Sequence, residues 1–102
     1  MNPRAKFKFE LYTAEGTTNS SLAFANLLAI CKEYLGDRYE IEVIDVFRHP
    51  QRALAQSIRM TPTLVKRWPH PTRTIVGTLS QTQRVLAALG IDRGVEKTLP
   101  AA

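Results

Sequence analysis

Between Lys6 and Val46 two strand patterns flank one helical pattern, and that spacing leaves few ways for the chain to fold. Lys6 to Thr13 alternates, with Phe7, Phe9, Leu11 and Thr13 on one side and Lys6, Lys8, Glu10 and Tyr12 on the other. This is the period of a half-buried strand. After the turn Glu15-Gly16-Thr17-Thr18, Asn19 or Ser20 is placed to cap a helix by accepting from its free amides. Leu22 to Leu35 repeats apolar residues at Phe24, Leu27, Leu28, Cys31 and Leu35, a helical stripe. Gly36-Asp37 ends it, because glycine takes the left-handed conformation at a helix stop without steric cost. Tyr39 to Val46 is a second strand, with Ile41, Val43, Ile44 and Val46 apolar and Glu40 and Glu42 on an exposed face. Two strands joined through a helix run parallel with a right-handed crossover.

The second half changes pattern. His49-Pro50 opens a helix, since proline at the first helical position loses no needed hydrogen bond, and Ala53, Leu54 and Ile58 form its apolar side. Thr61-Pro62 then enters a β-branched run, Thr63 to Trp68, the setting in which a cis-proline turn delivers a chain into a strand. Pro69-His70-Pro71 makes a rigid turn into a strand at Thr74 to Gly77, forming a hairpin. Ser80-x-x-Gln83 predicts a capping box for a last helix lined by Val85, Leu86 and Leu89 and stopped at Gly90. The resulting order is β-α-β-α-β-β-α, the thioredoxin-like order, an α/β fold with a mixed four-stranded sheet. Residues 1–91 form the expected single domain, and 92–102 a flexible tail.

Charge is unevenly placed. Residues 1–45 hold seven acids against five bases. Between Asp45 and Asp92 there is no acid, while Arg48, Arg52, Arg59, Lys66, Arg67, Arg73 and Arg84 supply seven positive charges. A basic half of this kind predicts an acidic partner surface or an anion. The bases are scattered, only Lys66 and Arg67 being adjacent, and no DNA-binding motif accompanies them, which tells against nucleic acid. No apolar run approaches the roughly 18 residues of a membrane span, and the single Cys31 suits a reducing compartment, so the expected location is cytoplasmic.

Catalytic chemistry finds no support. His49 and His70 stand 21 residues apart with no ligand cluster between them, so no metal site is implied. No phosphate loop and no nucleophile elbow occur. In thioredoxin-like proteins the paired cysteines sit at the start of the first helix, where the helix dipole favours a thiolate. Here that segment is Glu15-Gly16-Thr17-Thr18-Asn19-Ser20, without sulfur. A degenerate redox role would need Cys31 exposed, whereas its pattern predicts a buried structural thiol. No enzyme and no cofactor are expected.

LYTAEGTTNS, VIDVFRHPQ, MTPTLVKRWP and IVGTLS together resemble the KaiB clock proteins, from about Arg4 to Leu89. That resemblance implies a non-enzymatic regulator that binds the N-terminal ring of a hexameric KaiC-like ATPase. It also implies two folds: a thioredoxin-like monomer that binds KaiC, and a resting tetramer of order β-α-β-β-α-α-β in which the half after about Ile44 is rebuilt. A homo-oligomer, tetramer or dimer, is the corresponding resting state. Arg48, Arg52, Arg59, Lys66 and Arg73 are the expected partner-binding residues, with Pro62 setting the backbone. The other role implied is a signalling module like the KaiB-like domain of clock-output histidine kinases.

The chain departs from the family pattern at Leu22, usually arginine, and in the Pro69–Thr74 loop. It departs again at Arg52, Ala53, Leu54 and Ala55, where acids usually follow the Pro-Gln pair, and it lacks the acidic tail. These departures tell against KaiA as a partner. Ala88 replaces a common glycine inside the last helix, a gain of about 1 kcal/mol in helix propensity, and Gly90 replaces a common aspartate at its stop. With Pro62, these are the candidate fold-switch positions. They predict that the thioredoxin-like form is better populated here than in typical relatives; a resting strand over residues 81–89 would refute this.

Overall fold

Strand β1 (Phe7–Thr13) lies inside a four-stranded sheet of order β2-β1-β3-β4 in the computed structural model, which describes residues 6–91. The other elements are α1 (Thr18–Tyr34), β2 (Tyr39–Asp45), α2 (Pro50–Ala55), β3 (Thr63–Trp68), β4 (Arg73–Val76) and α3 (Thr82–Leu89). β1 and β2 are parallel, β1 and β3 antiparallel, and β3 and β4 antiparallel, as the β-α-β-α-β-β-α reading requires. The expected tail, 92–102, lies outside the described residues.

The two faces of the sheet hold separate cores. Phe9, Leu11 and Leu64 pack with Ala23, Leu27, Ile30 and Cys31 of α1 and with Val85, Leu86 and Leu89 of α3. Each fully buried leucine here is worth roughly 2 kcal/mol of removed apolar surface. On the opposite face Tyr12, Ile44 and Val65 lie against Ala53 of α2. β1 is therefore not half-buried. Tyr12, expected on the open side, is 1% exposed because α2 covers its face.

Several local expectations are corrected. The cap of α1 is Thr17 rather than Asn19 or Ser20; its hydroxyl accepts from the Ser20 amide at 3.4 Å. Ser20 Oγ instead accepts from the Ala14 amide at 3.0 Å. The buried stripe of α1 is Ala23, Leu27, Ile30 and Cys31, while Phe24 remains 39% exposed. No capping box forms at α3. Gln81 holds the cap position with no side-chain bond, and Ser80 faces the Thr78 hydroxyl at 3.1 Å. In α2 only Ala53 is buried and Leu54 is 79% exposed, because adjacent helical residues point about 100° apart and a six-residue helix presents one narrow line to the sheet.

Both helices of the second half end the same way. In α3, the Ile91 amide reaches Leu86 O at 3.0 Å and the Gly90 amide reaches Ala87 O at 3.2 Å, with Gly90 at φ 71°. This paired closure needs a left-handed residue, which is why glycine stops the helix. α2 closes similarly, Ile58 to Ala53 O at 2.9 Å and Ser57 to Leu54 O at 3.0 Å, with Ser57 at φ 56°. Residues 82–89 are thus helical, the form that Ala88 and Gly90 favour. The Thr61-Pro62, Trp68-Pro69 and His70-Pro71 bonds are cis.

Candidate docking surface

Glu10 is the hub of the face under α2. β1 presents it on the same side as Tyr12, and the register sets it opposite Glu42 on β2 and Val65 on β3. The Tyr12 hydroxyl donates to Glu10 Oε1 at 2.8 Å, and Arg67 Nε donates to the same oxygen at 3.1 Å. Arg52 Nη2 reaches Glu10 Oε2 at 3.4 Å. Arg52 also forks onto Glu42, Nη1 to Oε2 at 2.6 Å and Nη2 to Oε1 at 3.0 Å. One guanidinium therefore ties α2 to both β1 and β2. Burial, then the bond to Glu10, pushes the Tyr12 phenol up to about 12. The Arg52 fork holds the Glu42 carboxyl below its ordinary value.

The loop before α2 is organised by Asp45. Its Oδ1 accepts from the Phe47 amide at 2.8 Å, the leading cause of its lowered pKa. Arg48 pairs with Glu15 at 3.1 Å, both well exposed. That turn leaves Phe47 77% exposed. Phe47, Met60 and Arg59 border a hollow of about 230 Å³ with Val46, Ile58 and Thr61. Met60 is 62% exposed, and Leu54 stands clear of the core on the intervening α2. Large apolar side chains this open, with Arg59 beside them, have the composition of a protein-binding patch.

The five basic residues read as partner contacts fall into three situations. Arg59 and Arg73 are exposed and form no ion pair among the described residues. Arg48 and Arg52 are already engaged with Glu15 and with Glu42 and Glu10. Lys66 is not on the surface: it is 3% exposed, and its Nζ donates to Leu89 O at 2.9 Å and lies 5.8 Å from the centre of the Phe7 ring. Its parity explains this. Lys66 shares a face with Leu64, so the alternation in Thr63–Trp68 carried the signal. Phe47 and Met60 carried none, since their exposure depends on what packs beside them.

Thiol chemistry would have to use Cys31, the single cysteine of the chain. Cys31 is fully buried, and desolvation pushes its thiol up to about 12. A thiol-specific maleimide at pH 7 is expected to label the folded protein at least tenfold more slowly than the urea-unfolded chain, followed by mass spectrometry. Equal rates would return Cys31 to the surface. Among the described residues no three His, Cys, Asp or Glu side chains gather as metal ligands, and no helix is long and apolar enough to cross a membrane.

The comparisons agree with this architecture. The KaiB domain family matches residues 10–91. The chain is 44% identical over 91 residues to circadian clock protein KaiB3 of Synechocystis sp., covering 88% of this chain and 89% of that protein. It is 42% identical over 91 residues to the circadian clock oscillator protein KaiB of Prochlorococcus marinus, covering 89% of this chain and 76% of that one. Among solved structures it is similar to chloroplastic thioredoxin z, with a TM-score of 0.66 at 21% identity over 85% of this chain and 80% of that one. Yeast mitochondrial thioredoxin 3 superposes with a TM-score of 0.68 at 15% identity, again over 85% and 80%. These last two likenesses concern the thioredoxin-like fold alone.

Proposed function

Because this chain belongs to the KaiB family of circadian clock proteins, we propose that it is a regulator that docks on a KaiC-like hexameric ATPase and modulates its ATPase or phosphorylation state. KaiB-family clock proteins are non-enzymatic, so the work of the chain is binding. The observation that carries this reading is the open apolar hollow of Phe47 and Met60 with Arg59 at its rim. Buried on contact, such side chains supply most of an interface's energy, while rim cations steer an acidic partner into register. Arg59 borders this hollow, Arg48 follows Phe47 in the same loop, and Arg52 ties α2 to the sheet through Glu42 and Glu10. The proposed setting is the cytoplasm, with a homo-oligomer as the resting state. Pro62, Ala88 and Gly90 are the positions proposed to bias the chain toward the docking form.

Binding to the immobilised cognate KaiC-like ATPase, measured with ATP and with ADP, tests the proposal. The wild-type chain is expected to bind in at least one nucleotide state. Phe47→Ala with Met60→Ala is expected to weaken binding by about thirtyfold, the size of a hot-spot loss near 2 kcal/mol. The thermal midpoint should hardly move, since both side chains are already in water. No binding in either nucleotide state sinks the reading, and unchanged affinity of the double variant removes this hollow from the interface.

A further inference from the structure

The sheet is open along its basic edge. Among the described residues β4 is the last strand, pairing with β3 on one side only. The Gly77 amide donates to Pro62 O at 2.9 Å, and the register runs Thr63 to Val76, Leu64 to Ile75, Val65 to Thr74. Hydrogen-bonded and non-hydrogen-bonded pairs alternate in an antiparallel ladder, so Ile75 and Arg73 turn their backbone groups toward β3. Thr74 and Val76 turn theirs outward. Both residues are exposed, and among the described residues no strand takes them. Such an edge is a template for another strand.

Beside this edge runs a groove of about 520 Å³ between β4 and α3. Ile75, Val76, Leu79, Val85 and Ala88 give it apolar lining, and Arg84 is its charged member. No acid lines it. Arg73 begins the strand, and neither Arg73 nor Arg84 forms an ion pair among the described residues. The groove shares no residue with the Phe47–Met60 hollow.

We propose that the β4 edge and this groove bind an extended acidic segment of a partner protein as a fifth strand. Its backbone pairs with the outward groups of Thr74 and Val76. Its apolar side chains seat against Ile75, Val85 and Ala88, and its carboxylates meet Arg73 and Arg84. The charge of the edge selects the occupant: a basic or neutral strand would pair equally well through its backbone but would leave the two guanidinium groups opposed or unused.

The test uses a fluorescent octapeptide Glu-Ser-Val-Ser-Val-Ser-Glu-Ser (the Glu-Val peptide), whose acids and valines share one strand face, and its Lys-for-Glu counterpart (the Lys-Val peptide), titrated into the 102-residue chain. The Glu-Val peptide is expected to bind with an affinity that falls as salt is raised, and to shift amide resonances at residues 73–76 and 84–88. The Lys-Val peptide is expected not to bind. Arg84→Glu should weaken the Glu-Val peptide by about tenfold or more. Thr74→Pro should do the same with the thermal midpoint unchanged, because it deletes an amide that faces away from β3 and that no partner among the described residues uses. Equal binding of the two peptides, or shifts confined to other residues, would overturn the proposal. So would tighter binding of an eight-nucleotide single strand at the same residues, which would assign the edge to nucleic acid. A dimer in light scattering that the Glu-Val peptide does not displace would assign it to a second copy and equally overturn the proposal.

Discussion

Lys66→Ala is expected to destabilise the protein by about 3 kcal/mol, the largest effect of any charged residue described above. The side chain is 3% exposed and crosses the core from β3 to the end of α3, where its Nζ meets Leu89 O at 2.9 Å. About 2 kcal/mol of the loss comes from the buried methylenes, at roughly 0.8 kcal/mol each. About 1 kcal/mol comes from the hydrogen bond, which serves a carbonyl in the last turn of α3 that has no partner within the helix. Lys66→Met keeps the stem and is expected to lose only about 1 kcal/mol. Urea midpoints at constant slope would measure both; an alanine variant as stable as the wild type would mean that the side chain is not held inside. Burial first, then Arg73, lowers the Lys66 pKa from its ordinary value. The folded state then releases that proton before the unfolded chain does, so stability rises as pH climbs from the lowered value toward the ordinary lysine range. The methionine variant should lack that rise.

Glu10→Gln should cost about 2 kcal/mol. Its side chain is 16% exposed and takes bonds from Tyr12, Arg67 and Arg52. Glutamine keeps the shape and removes the charge, leaving two guanidinium groups over a half-covered face with less to balance them. Glu15→Gln is the control. Its pair with Arg48 is 64% and 70% exposed, and such surface pairs are worth about 0.5 kcal/mol or less. Chemical denaturation of the two variants side by side decides the matter: equal losses would show that the Glu10 cluster behaves as ordinary surface charge. Because Arg52 is the tether of α2, Glu10→Gln is also expected to weaken docking without touching Phe47 or Met60.

The strand and helix order was legible because each element announces itself locally. The alternation at Phe7–Thr13, the stripe at Leu27 and Cys31, and the stops at Gly36 and Gly90 need no knowledge of distant residues. The caps were less legible. Thr17, Asn19 and Ser20 can each cap α1 equally well by type, and only the path of the chain after Ala14 selects Thr17. The charges were misread for a related reason. A count of bases between Asp45 and Asp92 carries no information on Glu10 and Glu42, which lie in the acidic half and reach Arg52 and Arg67 only across the sheet.

The sequence by itself determined the β-α-β-α-β-β-α order, the buried thiol and the absence of the paired cysteines of thioredoxins, since periodicity, helix stops and residue identity are one-dimensional properties. Tertiary structure alone decided which cations remain free. Arg52 is spent on Glu42 and Glu10, Lys66 is enclosed over Leu89, and Arg59, Arg73 and Arg84 form no ion pair among the described residues. The reason is physical. Pairing and burial depend on the distances that sheet register and helix placement impose between residues far apart in the chain, and both are settled only when β1 has neighbours on either side.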